Sequence, residues 1–127
     1  MIQRRRTKKI RVGNVEIGGG SPISVQSMTN TSTTDINATV DQIRKLEDAG
    51  CEIIRIAVPD SEAAAAVRAI RDSITIPLIA DIHFDARLAV KAMENGADCI
   101  RINPGNLGGE EKVAMIVDAA LCHRVAI

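Results

Sequence analysis

An α/β fold with a parallel sheet is what this sequence predicts, and three observations point to it. Short β-branched runs alternate with amphipathic stretches of helical length from about residue 23 to the end. The apolar residues, 46% of 127, are almost all aliphatic, and Phe84 is the one aromatic side chain. Ile- and Val-rich strands under Ala-rich helices suit parallel layers. Third, "GCEIIRIAVP" from Gly50 and "GADCIRINPG" from Gly96 echo each other two strand–helix units apart. A barrel of repeated units produces such an echo, and so does an open doubly wound sheet; alternation between every second strand favours the barrel. The expected architecture is a partial TIM (β/α)8 barrel, roughly its first four βα units, preceded by an N-terminal β-hairpin. Residues 1–22 are assigned to a basic arm and the hairpin, and residues 23–127 to the first half of the barrel.

The elements follow in order. "KKIRVGNVEI", residues 8–17, alternates about Gly13-Asn14, with Val12 and Val15 flanking the pair, which predicts a small hairpin. Gly18, Gly19, Gly20 and Pro22 break the pattern, and Ile23 to Ser27 reads as the first barrel strand. Further strands are expected at Ile53–Val58, Ile76–Ile82 and Cys99–Asn103, with another starting near Val125. Helices are expected at Ile36–Ala49, Ser61–Ser73, Asp85–Asn95 and Glu110–His123. Gly50 and Gly96 stand where helices stop.

Composition removes several functional classes. Sixteen basic residues balance sixteen acidic ones, so no global field favours nucleic acid. Arg4, Arg5, Arg6, Lys8, Lys9 and Arg11 cluster near the start without interleaved aromatics, which reads as a solvated arm rather than an RNA surface. No apolar run approaches the roughly 20 residues that cross a membrane, and the basic start lacks the apolar region of a signal peptide. A cytoplasmic location is expected. Cys51, Cys99 and Cys122 lie far apart, with no metal-ligand spacing, and read as free thiols.

Chemistry enters at the strand ends. Residues i and i+2 of a strand share a face. Arg55 therefore shares a face with Ile53 and Ala57; Asp81 and His83 share one with Ile79; Arg101 and Asn103 share one with Cys99. The apolar residues between them are left to pack on helices. Three successive strands thus send polar side chains to one face, near the C-terminal ends where barrel enzymes carry their sites. One reading is an internal network in which Asp81 neutralises an arginine. The other is a pocket for an anion, because Arg forks suit phosphate and two arginines exceed one carboxylate. In that pocket Asp81 orients His83 or Arg101, and His83 donates to phosphate or shuttles a proton. "RINPGNLGG", residues 101–109, is either a plain turn or an anion-binding loop. In "VQSMTNTSTTD", residues 25–35, Thr34 or Asp35 is expected to cap the next helix, and Ser27, Met28 and Asn30 are candidates to line the mouth.

Four of these segments carry a resemblance. "PISVQSMTNT" (22–31), "GCEIIRIAVP" (50–59), "IPLIADIHFD" (76–85) and "RINPGNLG" (101–108) resemble the 4-hydroxy-3-methylbut-2-enyl diphosphate synthase (IspG/GcpE) family, and "RRRTKKIRVGNVEIGG" is similar to that family's opening hairpin. The resemblance implies reduction of 2-C-methyl-D-erythritol 2,4-cyclodiphosphate to 4-hydroxy-3-methylbut-2-enyl diphosphate in non-mevalonate isoprenoid synthesis. It implies a TIM barrel for the cyclic diphosphate, a C-terminal domain with a [4Fe-4S] cluster, flavodoxin or ferredoxin as electron donor, and a homodimer. Arg55, His83, Arg101 and Asn103 match substrate-pocket positions of that family, with Asp81, Ser27 and Met28 as weaker matches; His83 and Asp81 are the candidates for chemistry. The chain is expected to be a substrate-binding fragment of a longer product, without the cluster domain or its ligands and inactive alone. Two alternatives stand beside this: a non-catalytic diphosphate-binding barrel fragment, and a dihydropteroate-synthase-like barrel enzyme.

Overall fold

In a computed structural model of the protein, residues 2–3 and 5–127 are described. Arg4 of the basic arm lies outside them. The chain forms β1 (Ile10–Val12), β2 (Val15–Ile17), β3 (Gln26–Met28), α1 (Ile36–Asp48), β4 (Ile53–Ala57), α2 (Ser61–Ser73), β5 (Leu78–Asp81), α3 (Ala86–Glu94), β6 (Cys99–Arg101) and α4 (Glu110–His123). A single 3-10 turn, Pro104–Asn106, stands between the last two.

Strands β3, β4, β5 and β6 form one parallel sheet in sequential order. Its two faces divide as the period-two alternation predicts. Ile54, Ile56, Leu78, Ala80 and Ile100 join one core with apolar side chains of all four helices, while Ile53, Ile79 and Cys99 join a second, smaller one. Sequential order with every helix on one face is the pattern of barrel units; a doubly wound sheet reverses its order and carries helices on both faces.

The hairpin covers the smaller core. β1 and β2 pair antiparallel with Val12 opposite Val15, and Val12, Val15 and Ile17 pack on Ile53, Ile79 and Cys99. Gly13 makes the close approach possible. Its φ is +56°, and a Cβ there would stand 2.8 Å from the Pro77 ring. Two of the neighbouring bases are tied to the hairpin. Lys9 and Arg11 both bind Glu16, at 2.8 and 3.1 Å, and these bonds hold its carboxyl below the usual range.

Three helices start on an aspartate. Asp35, Asp60 and Asp85 accept from the N–H groups of Ala38, Ala63 and Arg87 at 3.1, 2.8 and 2.9 Å. Each satisfies a donor that the first helical turn leaves open. So Asp35, not Thr34, is the cap of α1. α4 has Gly109 at that position and no side-chain cap; Glu110 and Glu111 face its positive end instead.

Several boundaries differ from expectation, β5 covering Leu78–Asp81 rather than Ile76–Ile82, and two differences bear on the site. The first barrel strand covers Gln26–Met28, not Ile23–Ser27; Ile23 and Val25 are 83% and 55% exposed. The strand expected to run to Asn103 ends at Arg101, because Pro104 has no N–H to continue a ladder and starts the 3-10 turn. Beyond α4, where the sequence predicts a further strand, Ala126 forms a parallel bridge to Cys99.

Candidate active site

The site is built on the C-terminal ends of β4, β5 and β6. Asp81, on β5 between the other two, is its centre. Its side chain is 3% exposed, and a buried carboxylate needs charged partners. Arg55 Nη2 reaches Asp81 Oδ2 at 3.2 Å and Arg101 Nη1 reaches Oδ1 at 3.1 Å. His83 Nε2 lies 3.6 Å from Oδ2, an ion-pair distance beyond hydrogen-bond reach.

The register explains how two arginines meet one carboxylate. Ala57, Asp81 and Arg101 stand side by side, while Arg55 pairs with Ile79 one level below. The long side chain of Arg55 climbs that level to Asp81, and Ala57 is small enough to leave it room. Below lies the apolar floor of Val12, Ile53, Ile79 and Cys99. Their aliphatic bulk keeps water from one side of the charges, which strengthens them toward whatever approaches from the other.

Two guanidinium groups on one carboxylate leave a net positive charge before His83 is counted. Arg55, His83 and Arg101 have side chains 31%, 40% and 45% exposed, so their outer faces are open. Arg55 Nε is buried without a hydrogen-bond partner. An open concavity of about 330 Å³ runs beside Arg55 and Arg101, its lining including Gln26, Ile79, Cys99 and residues of the hairpin but not His83. The arrangement can bind a multiply charged anion, and His83 can hold or pass a proton at its edge.

The other expected residues divide. Met28 stands in register with Arg55 and so faces the cluster. Ser27 stands in register with Ile54, whose side chain lies in the helix-side core. Ser27 therefore points away from the mouth that the sequence assigns it to. Asn103 turns back on its own loop, its Oδ1 accepting from Gly105 N–H at 3.1 Å. Asn30 is bound to Gln42 of α1 through both its N–H and its side chain, at 2.9 and 2.7 Å. A hollow of about 450 Å³ beside Phe84 has Asp85, Arg87 and Lys112 in its lining. There Arg87 binds Asp85 twice, at 2.9 and 3.2 Å, lowering the carboxyl pKa and raising that of the guanidinium.

Comparison with known proteins decides the family. Residues 7–127 match the model of the GcpE TIM-barrel domain. The chain belongs to the GcpE TIM-barrel family. Over 127 residues it is 60% identical to a protein of Desulfotalea psychrophila named 4-hydroxy-3-methylbut-2-en-1-yl diphosphate synthase (flavodoxin), covering 100% of this chain and 35% of that one. It is 61% identical over 121 residues to the protein of the same name from Caldicellulosiruptor saccharolyticus, covering 95% of this chain and 35% of that one. The chain thus spans about a third of the length of these curated relatives. Among solved structures, mandelate oxidase superposes with a TM-score of 0.53 at 17% identity, over 83% of this chain and 48% of that one; the likeness is one of fold.

In the GcpE domain the cysteines do not make a cluster site. Cys51 and Cys99 are buried and Cys122 is exposed. Among the described residues no three His, Cys, Asp or Glu side chains gather to hold a metal ion. They do not fit the [4Fe-4S] cluster that the resemblance implies. Among the described residues no helix is long and apolar enough to cross a membrane.

Two contributors to the site were missed in the sequence. Gln26 faces the concavity because it pairs with Ile53 on the inner face; a strand placed at its true position would have signalled it. Ala57 matters through the space that it leaves, and no local signal marks that.

Proposed function

We propose that these residues bind the diphosphate of 2-C-methyl-D-erythritol 2,4-cyclodiphosphate, in a protein that reduces it to 4-hydroxy-3-methylbut-2-enyl diphosphate for isoprenoid synthesis. The carrying observation is the pair of arginines on Asp81, with positive charge left over and outer faces open. Arg55 and Arg101 hold phosphate oxygens, and Asp81 keeps both guanidinium groups pointed at the mouth. His83 hydrogen-bonds the same anion or moves a proton at its edge; Met28 flanks the mouth, and Asn103 holds the loop beside it. Relatives about 60% identical bear the name of this synthase, with flavodoxin in it, which supports the activity and flavodoxin as electron donor.

The four βα units of residues 23–127 are read as the first half of a barrel domain, preceded by the basic arm and hairpin of residues 1–22. A [4Fe-4S] cluster, which these residues would not hold, would supply the electrons in the whole protein, read as a cytoplasmic homodimer. The residues here supply binding and orientation, so the isolated 127 residues are expected to bind without turning over. Nothing in the site favours the dihydropteroate-synthase-like alternative. A pterin needs a stacking platform, and Phe84 stands edge-on to His83 with ring centroids 6.1 Å apart.

The test is direct. The protein, extended to the length of its relatives and loaded with cluster, is given the cyclic diphosphate and reduced flavodoxin. Appearance of the linear diphosphate by mass spectrometry is expected. Failure to convert it, with the cluster intact by spectroscopy, would overturn the reading.

A further inference from the structure

We infer that Thr33 is a positioning residue for the site, acting through a row of peptide groups that ends on Arg101. The inference rests on the proposed anion site and names a further residue that shapes it.

The row can be followed bond by bond. Thr33 Oγ1 donates to the carbonyl of Ala57 at 2.6 Å. The N–H on the other side of that same peptide, of Val58, donates to the carbonyl of Asp81 at 3.0 Å. The next peptide repeats the step, with Ile82 N–H donating to the carbonyl of Arg101 at 2.9 Å. Three bonds in series thus cross the ends of β4, β5 and β6, at the level where Ala57, Asp81 and Arg101 stand in register. Dipoles aligned in this way polarise one another, so each bond strengthens the next.

Thr33 stands where a strand is lacking. β3 ends at Met28, and its last link to β4 runs from Thr29 N–H to the carbonyl of Arg55 at 3.0 Å. Two residues along β4, the Ala57 carbonyl points the same way with no strand to meet it. The Thr33 side chain, in a residue only 5% exposed, takes the place of that donor. Two further contacts hold the loop in place. Thr39 Oγ1 donates to the Ser32 carbonyl at 3.0 Å, and Asn30 is clamped to Gln42. Without the hydroxyl, a buried carbonyl loses its partner and the β4 end can shift relative to β5. That shift moves Arg55 of β4 relative to Asp81 and loosens the Val58 and Ile82 links that fix the Asp81 and Arg101 peptides.

Thr33→Val keeps shape and removes the hydroxyl; Thr33→Ser restores it. Binding of inorganic pyrophosphate is measured by calorimetry on the full chain, well below the unfolding temperature, together with exchange of the Val58 and Ile82 amides. We expect Thr33→Val to weaken binding about threefold to tenfold and to speed exchange at both amides, and Thr33→Ser to recover both. A purely structural hydroxyl would lower the unfolding temperature while leaving affinity and these two amides unchanged, and that result overturns the inference. In the wild type, the Thr33 hydroxyl proton is expected to exchange slowly; exchange at the solvent rate also overturns it, whether or not the valine variant folds. Wild-type protein that does not bind pyrophosphate sinks the anion site instead, and the exchange data then decide on Thr33 alone.

Discussion

Arg55 and Arg101 meet on one carboxylate from opposite sides, Nη2 of the first at 3.2 Å from Asp81 Oδ2 and Nη1 of the second at 3.1 Å from Oδ1. The strand order places β5 between β4 and β6. Asp81 is therefore the hinge of the site's charge balance: it satisfies part of each guanidinium and leaves the rest directed outward.

Asp81→Asn removes that balance while keeping the shape. Two cations then face each other across a neutral amide. Breaking a buried pair costs about 3–5 kcal/mol, but these arginines are partly solvated, so a loss of about 1–2 kcal/mol is expected. Urea unfolding measures it. A variant as stable as wild type would mean that solvent already screens the cluster.

His83→Asn separates two roles. The imidazole lies beside the arginines but outside hydrogen-bond reach of Asp81. In a turnover assay of the full-length protein, a proton-moving His83 predicts kcat falling more than affinity for the cyclic diphosphate; equal losses would assign it to binding alone.

Cys99 gives an alkaline signature. Burial first, and then the nearby Asp98 charge, push its thiol from 9.0 up to about 11. The unfolded chain therefore loses this proton before the folded one does. The thiol's contribution to stability is intact below pH 9 and is lost as pH rises toward about 11. Cys99→Ala should flatten the fall in stability between those limits, followed by urea unfolding. An unchanged slope would show that other groups cause it.

Gly13 tests the hairpin's seat. Gly13→Ala adds a Cβ at 2.8 Å from the Pro77 ring on a backbone with φ of +56°. A destabilisation of about 1–3 kcal/mol is expected. Gly50→Ala, with φ of +101° and open space around it, carries backbone strain alone and is the control. Equal effects from both would mean that the hairpin tip yields freely.

How much of this was legible in the sequence depends on where the information lies. Arg55, Asp81 and Arg101, and His83 just past β5, could be read because they alternate with the apolar helix-side positions Ile54, Ile56, Ala80 and Ile100. The helices were legible from their apolar spacing and, for α1 and α3, from the glycines after them. Ile23 and Val25 misled because apolar β-branched residues suit a strand, yet here they are exposed. Ser27 was misassigned because its face depends on pairing with β4, a non-local fact. Asn103 followed the alternation in principle, but the turn at Pro104 took its side chain for the loop. Thr33 and Ala57 act through a hydrogen bond between residues 24 positions apart, and local pattern carries no trace of it.

Arg55 and Arg101 are expected to hold an anion as well as Asp81. Calorimetric titration of inorganic pyrophosphate into the wild-type chain, Arg55→Ala and Arg101→Ala tests it most directly. A charge-assisted hydrogen bond contributes about 1.5–3 kcal/mol, so each variant should bind about tenfold to a hundredfold more weakly than wild type. Affinity unchanged in both variants would contradict the account.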